Sequence, residues 1–196
     1  MGGDYLELRL GELLERMSAD GLAPGGGSAA ALTVAFSARL VAMVARCSVR
    51  WDEAGGVSAQ ANAIGERAVE LAHTDGRVWE DALTALRDAE AGEVDDPKRD
   101  FALEQKLEAA AAAPLEIASL GADAAALAAM AAEHGDATYR ADAAAAAALA
   151  AGGASAAAHL VRVNLGIRTG DPRLARALAS EQAAQDVAAR LLESRR

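Results

Sequence analysis

The chain has 196 residues, 53% of them hydrophobic but only 3% aromatic, and its 29 acidic against 19 basic residues give a net charge of −10. That length can bury a sizeable core as one domain over 1–196, and the negative charge disfavours nucleic acid and anionic membrane surfaces as partners. A single cysteine, Cys47, permits no internal disulfide, and the start with Asp4 and Glu7 lacks the order of a secretory signal, so a soluble cytoplasmic protein is expected.

The hydrophobic pattern is helical almost everywhere, with no alternation that suggests a strand. A short amphipathic helix is predicted over 8–19. Pro24, Gly25, Gly26 and Gly27 then stop the chain, and Ser28 is placed to cap a second helix over 28–50 with its side-chain oxygen. That helix is apolar around most of its circumference and should be central. After a turn at 52–56 a long third helix reaches residue 89, and an acidic loop follows over 92–97. A fourth helix is predicted over 99–133, kinked in its interior by Pro114. Gly135-Asp136 breaks the chain before a fifth helix that runs to 167, with a weak point at Gly152-Gly153. Gly170-Asp171-Pro172 supplies a stop and a new start, and the last helix runs over 172–193. Residues 143–161 carry no charge and could span a bilayer by length, but they are mostly alanine with Gly152, Gly153, Ser155 and His159, which predicts a buried helix instead. The reading is an all-α bundle of about six helices. Side chains this small leave thin cores, so dimerisation is expected to bury more surface.

Two carboxylates fall on faces that should point inward. In the third helix Ile64, Ala68, Leu71, Asp75, Val78, Trp79, Ala82 and Leu86 share one stripe, with Asp75 in its middle. A buried carboxylate must be protonated, paired or functional. In the fifth helix Asp142 shares a face with Leu149, Gly153, Leu160 and Asn164, although a carboxylate near a helix start is also favoured by the helix dipole. The triple glycine offers either a sharp corner between packed helices or free backbone N–H groups for a ligand. Ser28, Arg39, Arg46 and Arg50 form a stripe that could hold an anionic tail, or, the more frequent case, a solvated face paired with acids. Arg162 could serve a ligand or cap carbonyls at its helix end. His73, His134, His159 and Cys47 show no metal-ligand spacing, so no metal site is expected.

Several of these pieces resemble one family in order and spacing. Ala23-Pro-Gly-Gly-Gly-Ser28-Ala-Ala-Ala-Leu32 and the helix after it look like the cyclodeaminase/methenyltetrahydrofolate cyclohydrolase family, which includes the C-terminal domain of formiminotransferase-cyclodeaminase. Leu10-Gly-Glu-Leu-Leu resembles its opening helix, and Asp75 with Trp79 its Asp-x-x-x-aromatic element. Pro114-Leu-Glu-Ile-Ala resembles its Val-Pro-Leu-x-Ile-Ala segment, 135–142 its Gly-Asn-Pro-Asn-Ala-Ile-Ser-Asp element, and Arg162-Val-Asn164-Leu its Arg-Ile-Asn-Leu. The resemblance spans roughly residues 8 to 175 and implies a homodimeric enzyme acting on one-carbon units carried by a tetrahydrofolate derivative. It implies cyclohydrolysis of 5,10-methenyltetrahydrofolate or cyclodeamination of 5-formiminotetrahydrofolate, with Asp75 and Asp142 as proton-transfer candidates. Gly25, Gly26, Gly27, Ser28, Arg162 and Asn164 are the substrate-binding candidates.

The departures are specific. Where the family commonly has Asn-Leu-Thr, several lysines and an aromatic after the second helix, this chain has Cys47-Ser-Val-Arg-Trp51-Asp-Glu53. Ala141 stands where serine is usual, and Ala137-Thr138 replaces a Pro-Asn pair. If those lysines hold the anionic substrate tail in the family, their replacement here reverses the local charge. The alternative is therefore a family member that keeps the bundle without catalysis, as a folate-binding or partner-binding dimer. A purely structural helical adaptor is a third, weaker reading.

Overall fold

The computed structural model describes residues 5–19, 24–91, 97–165 and 170–193; residues 92–96 of the predicted acidic loop and the predicted helix end at 167 lie outside them. Seven α-helices account for nearly all of the described chain: α1 (Leu10–Ser18), α2 (Gly26–Cys47), α3 (Ala54–Ala91), α4 (Pro97–Ala110), α5 (Ala112–His134), α6 (Arg140–Asn164) and α7 (Pro172–Glu193). Short 3₁₀ turns precede α1 and α6, and no strand occurs among the described residues. The fold class read from the sequence is the observed one.

Alanine decides how the helices meet. With a methyl as the usual core side chain, axes can approach closely and backbones come within reach of hydroxyls. α2 lies between α3 and α6, and α5 packs on α6 and α7. The contacts of α2 with α6 run Gly26 with Leu160, Val34 with Gly153 and Ser37 with Ala146, so the two helices are antiparallel. Three buried or part-buried serines span helix interfaces or close a helix end. Ser28 Oγ donates to the Ala72 carbonyl of α3 at 2.7 Å, Ser37 Oγ to the Ala146 carbonyl of α6 at 2.7 Å, and Ser48 Oγ to the Val44 carbonyl at 2.7 Å. Such bonds between buried groups contribute roughly 1 kcal/mol each. At the rim, Arg67 of α3 donates from Nε and Nη2 to the two oxygens of Glu116 of α5 at 2.6 and 2.9 Å.

Three expectations change. Ser28 is not the cap of α2: Gly25 holds that position with extended backbone and no side-chain cap, while Ser28 is turned inward to Ala72. The fourth predicted helix is two. Proline has no N–H to give the carbonyl four residues earlier, and the chain breaks at Ala111, separating α4 from α5 rather than merely kinking. Gly152-Gly153, expected as a weak point, lies within an uninterrupted α6.

α2, the segment Phe101–His134 and the segment Ala137–Asn164 are each long and apolar enough to cross a membrane by length and composition alone. Within the bundle, half to two-thirds of each apolar window is covered by neighbouring helices.

Candidate functional site

Where the start of α2 meets the middle of α3 and the end of α6, the helices leave a cavity of about 290 Å³. Gly25, Gly26 and Gly27 form one wall, Asp75, Gly76 and Trp79 a second, and His159, Leu160, Val163 and Asn164 a third, with Ala110 and Pro114 closing the floor. The lining is mostly apolar, with few polar groups and one carboxylate, a composition common to small-molecule sites.

Asp75 is half-buried, and burial pushes its carboxyl up from 3.8 to about 6. Its position depends on Gly27, because a Cβ built there would overlap the carboxylate. Gly27 therefore serves close approach, not the turn, since the helix already begins at Gly26. The first intrahelical bond is Ala29 N–H to the Gly25 carbonyl at 3.0 Å. The amides of Gly26, Gly27 and Ser28 come before it and have no acceptor within the helix. Asp75 thus faces the positive end of α2, which favours its ionised form while burial opposes it. A carboxyl poised between the two forms can both take and return a proton near neutral pH.

Asn164 is held by the break in the chain. Pro114 leaves the Ala110 carbonyl without its helical donor, and Asn164 Nδ2 donates to that oxygen at 2.9 Å. Asn164→Leu is therefore expected to strand a part-buried carbonyl at the cavity floor and lower stability by about 1–2 kcal/mol. A urea titration checks this, and an unchanged midpoint would remove the bond from any structural role.

The remaining candidates are distributed unevenly. The structure brings Gly25, Gly26, Gly27, Asp75 and Asn164 to one cavity and sets Ser28 directly behind it. Arg162 is exposed and reaches the rim only through His159, with Nη2 2.7 Å from Nδ1. Asp142 is half-buried in the first turn of α6, 18 residues before Leu160, which is roughly 27 Å along the helix. Within one chain the two proton-transfer candidates that the resemblance implies therefore lie far apart along α6 and do not line one cavity. Asp142 stands instead near Tyr139, whose hydroxyl is raised above its usual range by its hydrogen bond with Cys47 and by Asp136 and Asp142 nearby. Arg39 turns to Asn62 and Glu66 of α3, so the arginine stripe is at least partly a paired surface.

His159, Leu160 and Val163 complete the site without having stood out in the sequence as site residues; the signal for them is a histidine inside the uncharged stretch 143–161, five residues before Asn164.

The segment in which lysines were expected is built into structure. Trp51 is buried in the main core with its ring centroid 6.1 Å from that of His134. Ser48 Oγ accepts from the Asp136 amide at 2.8 Å, and Asp136 caps the following turn by accepting from the Thr138 amide at 2.9 Å. No three His, Cys, Asp or Glu side chains cluster as a metal site among the described residues.

The sequence matches the family model described as formiminotransferase-cyclodeaminase over residues 9–184. Among solved structures, a crystal structure of formiminotetrahydrofolate cyclodeaminase from Thermotoga maritima is similar, with a TM-score of 0.78 and 19% identity over 95% of this chain and 92% of that one. No curated protein matches the chain in sequence.

Proposed function

The chain belongs to the formiminotransferase-cyclodeaminase family, and from that premise we propose that it acts on a one-carbon unit carried by tetrahydrofolate, as a methenyltetrahydrofolate cyclohydrolase or a formiminotetrahydrofolate cyclodeaminase. The observation that carries the proposal is Asp75: a half-buried carboxyl near 6, set against free backbone amides in an apolar cavity beside Trp79.

Both reactions pass through a tetrahedral carbon between nitrogens. In cyclohydrolysis, water adds to the cationic amidinium carbon, the bond from that carbon to N5 breaks, and the formyl group stays on N10. Ionised Asp75 beside the cation would stabilise it and take the proton from water, then return it to N5. In cyclodeamination, N10 attacks the formimino carbon and ammonia leaves; the same carboxyl would carry the N10 proton to the departing nitrogen. Trp79 and Leu160 offer apolar surface to a pterin or aminobenzoyl ring, and the amides of Gly26 and Gly27 offer donors to its polar edge. A cytoplasmic homodimer belongs to the same reading, and the net charge of −10 supports a soluble protein without nucleic-acid or anionic-membrane partners.

A second reading is a folate-binding protein without catalysis. It is favoured by the cavity lining, which contains no Lys or Arg, and by the burial of Trp51 in the lysine segment. Turnover separates the two. The enzyme reading expects loss of methenyltetrahydrofolate absorbance above the spontaneous rate, or ammonia released from the formimino substrate. Tight binding of a reduced folate with neither would leave the second reading standing.

A further inference from the structure

Asp75 has a polar counterpart on the wall that α6 provides. His159 is an exposed residue at the mouth of the cavity and belongs to its lining, beside Leu160 and Val163. Its Nδ1 lies 2.7 Å from Nη2 of Arg162, one turn further along the helix. A guanidinium can only donate, so Nδ1 accepts and the ring proton is carried by Nε2, on the opposite edge of the ring. Arg162 is not part of the lining, so the edge it holds is the outer one. The contact therefore selects one tautomer and one orientation of the imidazole.

Neighbouring groups define what that donor can reach. Asn164 is turned to the Ala110 carbonyl at the floor, and the Trp79 indole stands on the same helix as Asp75, one turn on. His159 is the donor that enters from another wall. Consecutive residues of α2 set the spacing of the two walls: a Cβ on Gly26 would lie 4.0 Å from the Leu160 methyls, while Gly27 faces the Asp75 carboxylate. His159 and Asp75 thus approach one volume from different helices, one with a fixed N–H and the other with a carboxyl that can move protons.

We propose that His159, held by Arg162 with Nε2–H turned into the cavity, donates to the oxygen that water brings to the one-carbon unit, and so favours cyclohydrolysis over cyclodeamination. The role rests on the folate reading; the orientation of the ring by Arg162 does not. As the C–O bond forms at the amidinium carbon, one water proton passes to Asp75, which returns it to N5 as the C–N5 bond breaks. The second water proton leaves for solvent when the formyl C=O forms, and carries away the positive charge of the substrate. Electron density gathers on the oxygen as that proton goes, and a donor already in place stabilises it without giving up its own proton. Cyclodeamination brings no oxygen to that carbon. Its leaving nitrogen must take up protons outright, which a ring that keeps its Nε2 proton does not supply.

The pair and its folate role are tested separately. Nitrogen NMR spectra of the imidazole rings, with His159 assigned by its loss in His159→Phe, should show the Nε2–H tautomer alone in wild type. Arg162→Lys, which keeps a donor, should preserve it, and Arg162→Met should give a mixture of tautomers. A mixture in wild type, or no change in Arg162→Met, would overturn the positioning. Calorimetry then asks what the donor meets. Folinic acid carries a formyl oxygen on its one-carbon unit, whereas tetrahydrofolate, kept anaerobic, carries none. His159→Phe keeps a flat ring without the donor, and should weaken folinic acid about fivefold or more while tetrahydrofolate stays within about twofold. Equal loss of both ligands, or of neither, would overturn the assignment. With methenyltetrahydrofolate, His159→Phe should lower kcat about a hundredfold and leave KM nearly unchanged, because that substrate has no oxygen there yet. His159→Gln, whose amide keeps a donor, should recover most of the rate, and a Gln variant as slow as Phe would count against the role. Wild type that binds neither ligand but shows the single tautomer would remove the folate reading and leave the Arg162–His159 pair standing.

Discussion

Asp75→Asn is expected to lower kcat by about a thousandfold or more while the helical spectrum and the melting cooperativity stay intact. Asparagine keeps the shape beside Gly27 but can neither take a proton from water nor balance the amidinium charge. The pH profile adds a sharper test. Wild-type kcat/KM should fall as the pH drops through about 6, where Asp75 takes up its proton, and that limb should be absent from the residual activity of the variant. Stability should move the other way. Between 3.8 and about 6 the folded chain holds a proton that the unfolded chain has lost, so stability declines as the pH rises across that window. Asparagine removes the cost of the desolvated charge. The variant should therefore melt above wild type when the pH exceeds about 6, with the gap closing below 3.8. Equal melting at every pH would mean that the carboxyl is not desolvated, and wild-type turnover would remove it from the chemistry.

The same residue shows what could be read in advance. Asp75 stood out because helical periodicity alone put a carboxylate in the middle of an apolar stripe, and Trp79 four residues on falls in the same cavity. The triple glycine was legible as a site feature, though its physical reason was not: Gly27 makes room for a side chain from α3, a partner 48 residues away. That Asp142 lies away from Asp75 within the chain is something periodicity cannot carry. An inward face says nothing of which end of a long helix meets a cavity, and α6 is long enough to keep Asp142 and Asn164 in different places. Pro114 was seen as a disturbance, but the disturbance becomes a site feature only because Asn164, from a helix packed nearby, takes the freed carbonyl. Trp51 read as a replacement for lost lysines; it is core, since a large apolar ring beside Ser48 and His134 gains more from burial than from the rim.

Neighbouring glycines in α6 should answer substitution with opposite signs, and this is the second large effect expected. A Cβ on Gly153 would lie 2.6 Å from Val34 Cγ2 and 3.1 Å from the Ala30 carbonyl, both on α2. The side chain would have to push apart two helices that Ser37 ties together through the Ala146 carbonyl. Gly153→Val is expected to cost about 3 kcal/mol or more, and Gly153→Ala a smaller but clear fraction of that. A Cβ on Gly152 would meet nothing within 4 Å. There, alanine only removes the conformational freedom of the unfolded glycine, and Gly152→Ala should gain about 0.5–1 kcal/mol. Urea midpoints at constant slope read both changes on one scale. If Gly153→Ala stabilised as Gly152→Ala does, α2 and α6 could not be in contact at Val34, and the antiparallel pair that fixes the cavity wall would be wrong. If both destabilised, the outer glycine would be covered after all, at tighter range than an alanine allows.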